Sequence, residues 1–177
     1  MYYPIILPFY LLVSTYKIKK NNLQLPTKSE IYNVLRNLIF SDMLYISYRQ
    51  MRPDIDTINI LQFFGFYIMQ DLYFYTIHKS LFHKLAYSLH KKHHSVYSPF
   101  HAWYCSLAEQ FILNAGSIAF ADYIFPFPNW LFTLLILQQT YTSVNGHAPS
   151  SPHSEHHSNP SKHFGNIYIF DWLFGSY

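Results

Sequence analysis

The chain has 177 residues, of which 50% are apolar and only 12% are Asp, Glu, Lys or Arg. This composition excludes a disordered chain and argues against an ordinary soluble enzyme, and a net charge of +3 is too small to suggest a nucleic-acid binder. A single cysteine, Cys105, excludes an internal disulfide framework and a multi-cysteine zinc ribbon. Histidine is the unusual residue, because 11 His outnumber the 9 Asp and Glu together.

The apolar residues are grouped into segments of near-membrane length. The predicted spans are residues 1–16, 31–48 and 57–77, followed by a short hairpin at 111–142. The third contains one charged residue, Asp71, and the two prolines Pro126 and Pro128 divide the hairpin into two short helices. A buried terminus of a soluble protein is the alternative for the first segment, since 16 residues are few for a span.

The short loops between these segments predict the orientation of the chain. The loops at 17–30 and 79–92 contain four lysines each, and lysine-rich short loops stay in the cytosol. We therefore expect the N-terminus outside and residues 78–110 and 147–177 on the cytosolic side. The predicted fold is an all-α, polytopic integral membrane protein, one domain over 1–177, with a cytosolic histidine-rich helical cap that holds a di-metal centre.

All 11 histidines lie between residues 78 and 163, beside predicted membrane edges on the same side. Most fall into three groups, HKSLFH at 78–83, HKKHH at 90–94 and HSEHH at 153–157. On a helix, HKKHH and HSEHH would each present three imidazoles on one face, whereas His78 and His83 share a face only across a bulge or helix end. Eight or more histidines are too many for one tetrahedral site, so they predict two metal ions. Imidazole binds several metals, so the ligand type does not identify which metal is bound.

Carboxylates are expected around such a centre, because neutral imidazoles leave the charge of two ions unbalanced. They would also hold each imidazole by its other ring nitrogen. The candidates are Asp71, Glu109, Glu155 and Asp171. Asp71 lies seven residues before His78 within a membrane-length segment, which favours a functional role over a snorkelling or helix-pairing one.

The sequence resembles the fatty acid hydroxylase/sterol desaturase superfamily of membrane di-iron oxygenases over residues 17–177. DLYFYTIHKSLFHK, LHKKHHSVYSPF and HSEHH resemble its three histidine boxes, and KHFGNIYIFDWLFGS resembles its closing stretch. Three ordered boxes with that ending are a far more specific signal than one box. The resemblance assigns catalytic, metal-binding roles to eight histidines and a metal-binding role to a ninth, His147. The eight are His78, His83, His90, His93, His94, His153, His156 and His157.

One departure from the family pattern concerns a possible ligand. Many members carry a histidine three residues before the acid that corresponds to Glu109, and this chain has Ser106 there. Either a ligand is lost, or His101 supplies it.

The resemblance implies an enzyme of lipid biosynthesis in the membrane of the endoplasmic reticulum. Such an enzyme uses dioxygen and two Fe ions to hydroxylate or desaturate a sterol, fatty acyl chain or sphingolipid, and zinc can replace the iron in purified protein. Electrons would come from NAD(P)H through a b-type cytochrome and its reductase. The alternatives are a histidine-rich membrane metal-binding or transport protein and a catalytically inactive relative. Transport is disfavoured because the histidines lie outside the predicted spans rather than near the bilayer midplane.

Overall fold

The structure is a computed structural model that describes residues 6–177, and all regular structure in that range is helical. The α-helices are α1 (Ile6–Lys20), α2 (Lys28–Gln50), α3 (Ile60–Ile77), α4 (Tyr87–His90), α5 (Leu107–Glu109), α6 (Gly116–Ile124), α7 (Asn129–Gly146), α8 (Pro152–Ser158) and α9 (Ile169–Leu173). Two π-helices (His78–Leu85 and Gln110–Ala115) and two 3₁₀-helices (His93–Ser95 and Pro99–Trp103) complete the set in this range. The prediction of an all-α fold is confirmed for these residues.

Side-chain caps set the starts of the two long N-terminal helices. Thr27 and Glu30 form a reciprocal capping box at the start of α2, and Asn59 and Gln62 form one at the start of α3. These caps explain why α2 begins three residues before the predicted segment, and why α3 begins three residues after its own.

The predicted membrane segments coincide in position with α1, α2, α3 and the α6–α7 pair. Within residues 6–177, none of the helices combines the length and the apolar character needed to cross a bilayer. Residues 1–5 of the first predicted span lie outside the described residues. Membrane insertion and orientation therefore stay predictions.

The core of the bundle is built from aliphatic and aromatic residues, most of them on the long helices α1, α2, α3 and α7. α3 packs against α6 and α1 packs against α7. Phe66 of α3 stacks on Phe127 with ring centroids 4.6 Å apart, and both rings are buried. Burying each such ring contributes about 1.5–3 kcal/mol. Gly65 lets the chain approach closely here, because a Cβ atom at that position would lie 2.7 Å from the ring of Phe125.

A buried ion pair fixes the end of the bundle where α2 ends and α6 is joined to α7. The Arg49 guanidinium lies 2.9 Å from an oxygen of Asp122, and the side chains of both residues are almost fully buried. Arg49 also donates to the carbonyl of Phe127 and to the side chain of Asn129. The pair is therefore fully hydrogen-bonded, and it holds the turn between α6 and α7 against α2.

Candidate metal centre

The first histidine box lies on a π-helix that continues α3 directly. In a π-helix each N–H bonds to the carbonyl five residues earlier, so residues five apart share a face. His78 and His83 accordingly approach each other, with ring centroids 4.9 Å apart. The five-residue spacing of His78 and His83 required a bulge or a helix end between them, and the π-helix meets this requirement.

The second box does not form one helix, and the prediction that HKKHH presents three imidazoles on one helical face is wrong. α4 ends at His90, and a separate 3₁₀-helix begins at His93. The break keeps Nε2 of His90 and His94 2.9 Å apart but turns His93 toward a different set of histidines.

The third box lies on α8, which begins at Pro152 after the N-cap Ser151. His153 and His157 are four residues apart and share a face, while His156 points to a different set of histidines. The three rings lie on one side of α8 as predicted, with centroids 5.0 to 6.3 Å apart, but they divide between two groups.

The structure brings together all nine histidines predicted as ligands, in two groups. The first group is His78, His83, His90, His94 and His156, and the second group is His93, His147, His153 and His157. Within each group the candidate ligand atoms all lie within 4.8 Å of one another. The second and third boxes each contribute to both groups.

The spacing of the imidazole nitrogens fits shared metal ions. Nε2 of His78 and His90 are 3.0 Å apart in the first group, and Nε2 of His93 and His147 are 3.2 Å apart in the second. Two nitrogens that each bind one ion at about 2.1 Å are separated by roughly 3.0–3.4 Å for right-angled to tetrahedral arrangements. The donor set therefore fits one divalent ion per group.

Backbone carbonyls hold several of these rings in the tautomer that metal binding needs. Nδ1 of His78 donates to the carbonyl of Phe164 at 2.8 Å, and Nδ1 of His147 donates to the carbonyl of Ser143 at 2.9 Å. His156 makes the same contact with the carbonyl of Lys162. A carbonyl can only accept, so the proton lies on Nδ1 and the lone pair of Nε2 points into the group.

Burial also keeps the nine imidazoles uncharged. Desolvation lowers the pKa of every one of them, and neighbouring histidines lower most of them further. The pKa of His83 and of His147 falls to about 4, and that of His156 to about 3. At neutral pH the rings therefore have a free lone pair, which a metal ligand requires.

Of the four candidate carboxylates, Glu109 contacts a predicted ligand. Its Oε1 lies 3.0 Å from Nδ1 of His90, and both side chains are buried. Burial raises the pKa of Glu109 well above its usual value. Glu155 instead lies 3.2 Å from His163, which belongs to neither group, and its side chain is half-exposed.

Asp71 and Asp171 contact backbone amides rather than imidazoles. Asp71 accepts from the amides of Asn166 and Ile167 at 2.7 and 2.9 Å, and Asp171 accepts from those of Phe164 and Gly165. These contacts fix the segment whose Phe164 carbonyl holds His78. The two aspartates therefore act on the histidines through this segment, which lies in the closing stretch KHFGNIYIFDWLFGS.

Gly165 is the point at which the two aspartates converge. A Cβ atom on it would lie 2.7 Å from Oδ1 of Asp71 and 2.8 Å from Oδ2 of Asp171. Only glycine leaves room for both carboxylates, a requirement that becomes visible once the chain is folded.

Ser106 and His101 lie outside both groups. Ser106 caps α5 by accepting from the amide of Glu109 at 3.1 Å, so it positions the helix that carries this carboxylate. His101 contacts Ser98 through Nδ1 at 2.7 Å and lies 3.5 Å from Glu30 through Nε2. His101 therefore does not replace a ligand at position 106.

Comparisons with known proteins show which family the chain is similar to. The sequence profile of the family described as "Fatty acid hydroxylase" matches residues 63–176. The chain is 28% identical to the very-long-chain aldehyde decarbonylase GL1-8 of Oryza sativa subsp. indica, over 93% of this chain and 74% of the relative. The protein of the same name from Oryza sativa subsp. japonica matches with the same identity and coverage. No solved structure matches the chain.

Proposed function

The chain belongs to the fatty acid hydroxylase family, and we propose that it is a di-iron oxidoreductase that uses dioxygen to hydroxylate or desaturate a lipid. The observation that carries this proposal is the convergence of nine uncharged histidines in two adjacent groups. When bound, two iron ions supply the activation of dioxygen that an unactivated C–H bond requires.

The protein's own residues prepare the site for this chemistry. The backbone carbonyls at Phe164, Ser143 and Lys162 orient imidazoles before any ion binds, which lowers the cost of ordering them. Glu109 places a buried carboxyl group beside His90. Two bound ions would favour its ionised form, which burial alone disfavours, and the carboxylate would then offset part of their positive charge. Burial of most of these rings limits the access of bulk water.

The cellular setting is part of the same proposal. The two lysine-rich loops support a membrane enzyme whose histidine groups face the cytosol, and we place it in the endoplasmic reticulum. Electrons would come from NAD(P)H through a b-type cytochrome and its reductase, which would approach from that side.

The similarity to a rice aldehyde decarbonylase favours a second candidate reaction. That relative's name states that it acts on very-long-chain aldehydes, and the similarity covers 93% of this chain. A very-long-chain aldehyde is therefore a candidate substrate beside sterols, fatty acyl chains and sphingolipids.

Metal analysis and lipid turnover test the proposal together. We expect about two irons per chain and lipid oxidation that requires dioxygen. Replacing His157 by Ala removes a ligand of the second group and should lower turnover by at least about 100-fold. The control is His163→Asn, because His163 lies outside both groups and its backbone φ of 54° suits asparagine.

Two outcomes would contradict the proposal. Full turnover by the His157→Ala variant would show that the second group is not needed. Stoichiometric metal without any lipid oxidation under dioxygen, in protein reloaded with iron, would favour a metal-binding protein or an inactive relative.

A further inference from the structure

Two adjacent cavities lie in the helical bundle beside the histidine groups, and amide side chains stand among the apolar residues of their walls. The larger, of about 80 Å³, is lined by histidines of both groups together with Asn114 and Asn166. The smaller, of about 40 Å³, shares Asn114 and Asn166 with it and adds Gln70 and Gln139. A polar path therefore leads from the candidate metal centre to two buried glutamines.

The amides along this path form a directed chain of hydrogen bonds. Asn166 donates through Nδ2 to Gln139 Oε1 at 2.8 Å, and Gln139 donates through Nε2 to Gln70 Oε1 at 3.0 Å. Gln70 and Gln139 are only 3% and 7% exposed. The chain ends at Nε2 of Gln70, which has no acceptor among residues 6–177 although the side chain lines the smaller cavity.

The same cavities also offer acceptors. Asn114 donates through Nδ2 to Gln110 at 2.9 Å, which leaves its Oδ1 without a donor among the described side chains and amides. Oδ1 of Asn166 likewise accepts no hydrogen bond from the described side chains and amides. One donor and two acceptors match a hydroxyl group, which both donates and accepts, and the donor alone matches a carbonyl oxygen.

A hydrocarbon chain matches the apolar part of these walls but not their amides. Methylene groups in the cavities would leave the buried amides without partners, which is unfavourable in a site shielded from water. The larger cavity has room for only on the order of five water-sized groups, so it suits the end of a lipid rather than its length. By contrast, a groove of about 360 Å³ on the bundle surface has mostly apolar walls, among them Leu44, Met51 and Phe111.

We propose that the amides bind the oxygen of an alcohol or aldehyde end of the lipid substrate, and that Gln70, Gln139 and Asn166 determine specificity for it. This inference rests on the proposed lipid-oxidising function, because only then does a lipid end belong beside the histidine groups.

The test measures binding without turnover. Zinc-loaded protein in detergent micelles is equilibrated with radiolabelled 1-hexadecanol or hexadecane, which have the same chain length. We expect the protein to bind the alcohol at least about tenfold more tightly than the alkane, because a site built for hydrogen bonding rejects the analogue that lacks its partner. In Gln139→Leu the ratio should fall toward one.

The matched control is Gln138→Leu. Gln138 is the neighbouring residue on α7, but it is exposed and lines neither cavity. This variant should keep the preference for the alcohol. Partition into micelles is the same for every variant, so the comparison isolates the contribution of the protein. Gln70→Leu on α3 provides an independent test if Gln139→Leu does not fold.

Equal affinity of the unmodified protein for alcohol and alkane would mean that the cavities hold only water, and would overturn the proposal. So would a preference that survives in folded, zinc-loaded Gln139→Leu and Gln70→Leu. Failure of the proposed function is distinguishable, because it would show as absent lipid oxidation with the preference for the alcohol intact.

Discussion

At the scale of single residues, Gly165 connects the carboxylates to the histidines. The carboxylates of Asp71 and Asp171 are held by backbone amides of the segment around Gly165, so neither can retreat freely from an added methyl group. A side chain at position 165 would therefore displace the neighbouring Phe164 carbonyl, which fixes the proton of His78.

We predict that Gly165→Ala weakens metal binding by about 10–100-fold, the effect typical of losing a group that orients a ligand. Competition with a chelator measures this affinity. Gly146→Ala is the control, because its Cβ atom would lie 3.6 Å from His153, an ordinary contact. Unchanged metal affinity in Gly165→Ala would refute this role.

The sequence was sufficient to select the nine histidines that the structure brings together, because eight of them stand in three spaced groups and the family resemblance assigns the ninth, His147. The sequence also singled out Asp71, but the predicted contact was with an imidazole, whereas the structure shows contacts with backbone amides. The carbonyl of Phe164 and the small size of Gly165 could not be predicted in this way, since backbone contacts between distant segments leave no side-chain pattern.

At the scale of elements, local irregularities place the boxes. The π-helix at His78–Leu85 and the break between His90 and His93 both depart from the regular α-helix that spacing arguments assume. The five-residue spacing of His78 and His83 could predict the π-helix. The sequence HKKHH by itself suits a continuous helix. The break between His90 and His93 therefore depends on tertiary contacts, which helical periodicity does not reveal.

The buried Arg49–Asp122 pair gives a prediction for helix packing. Arg49→Met removes the nearer of two cations from the buried Asp122 and leaves Arg52 at 4.0 Å, so it should lower the free energy of unfolding by about 3 kcal/mol, the lower end of the range for a broken buried pair. Chemical denaturation in detergent measures this loss. The double variant with Asp122→Leu should recover much of it, because neither charge remains. A single variant as stable as the unmodified protein would contradict the structural role of the pair.

At the scale of the whole molecule, the histidine groups connect parts of the chain that are far apart in sequence. The nine histidines lie on the π-helix after α3, on α4, on the next 3₁₀-helix, just after α7 and on α8. Bound ions would therefore link these segments, and they would do so in the folded state alone. A ligand that binds only the folded state stabilises it by about 2.7 kcal/mol when its concentration is 100 times its dissociation constant.

Removal of the metal should therefore lower the melting temperature by roughly 5–10 °C, as expected for a chain of this size. Thermal unfolding before and after treatment with a chelator measures the change, and adding iron back should restore the original value. A melting temperature that is unaffected when metal is demonstrably removed would mean that the groups are already stable without ions.

The division of the second and third boxes between the two groups has a consequence for how the centre fills. His90 and His94 belong to the first group, and the intervening His93 belongs to the second group. An ion bound to either group would therefore order the segment that also carries a ligand of the other group. We therefore expect occupancy of the two positions to be thermodynamically coupled. Damage to the second or third box would then weaken both groups at once, because each of these boxes contributes histidines to both.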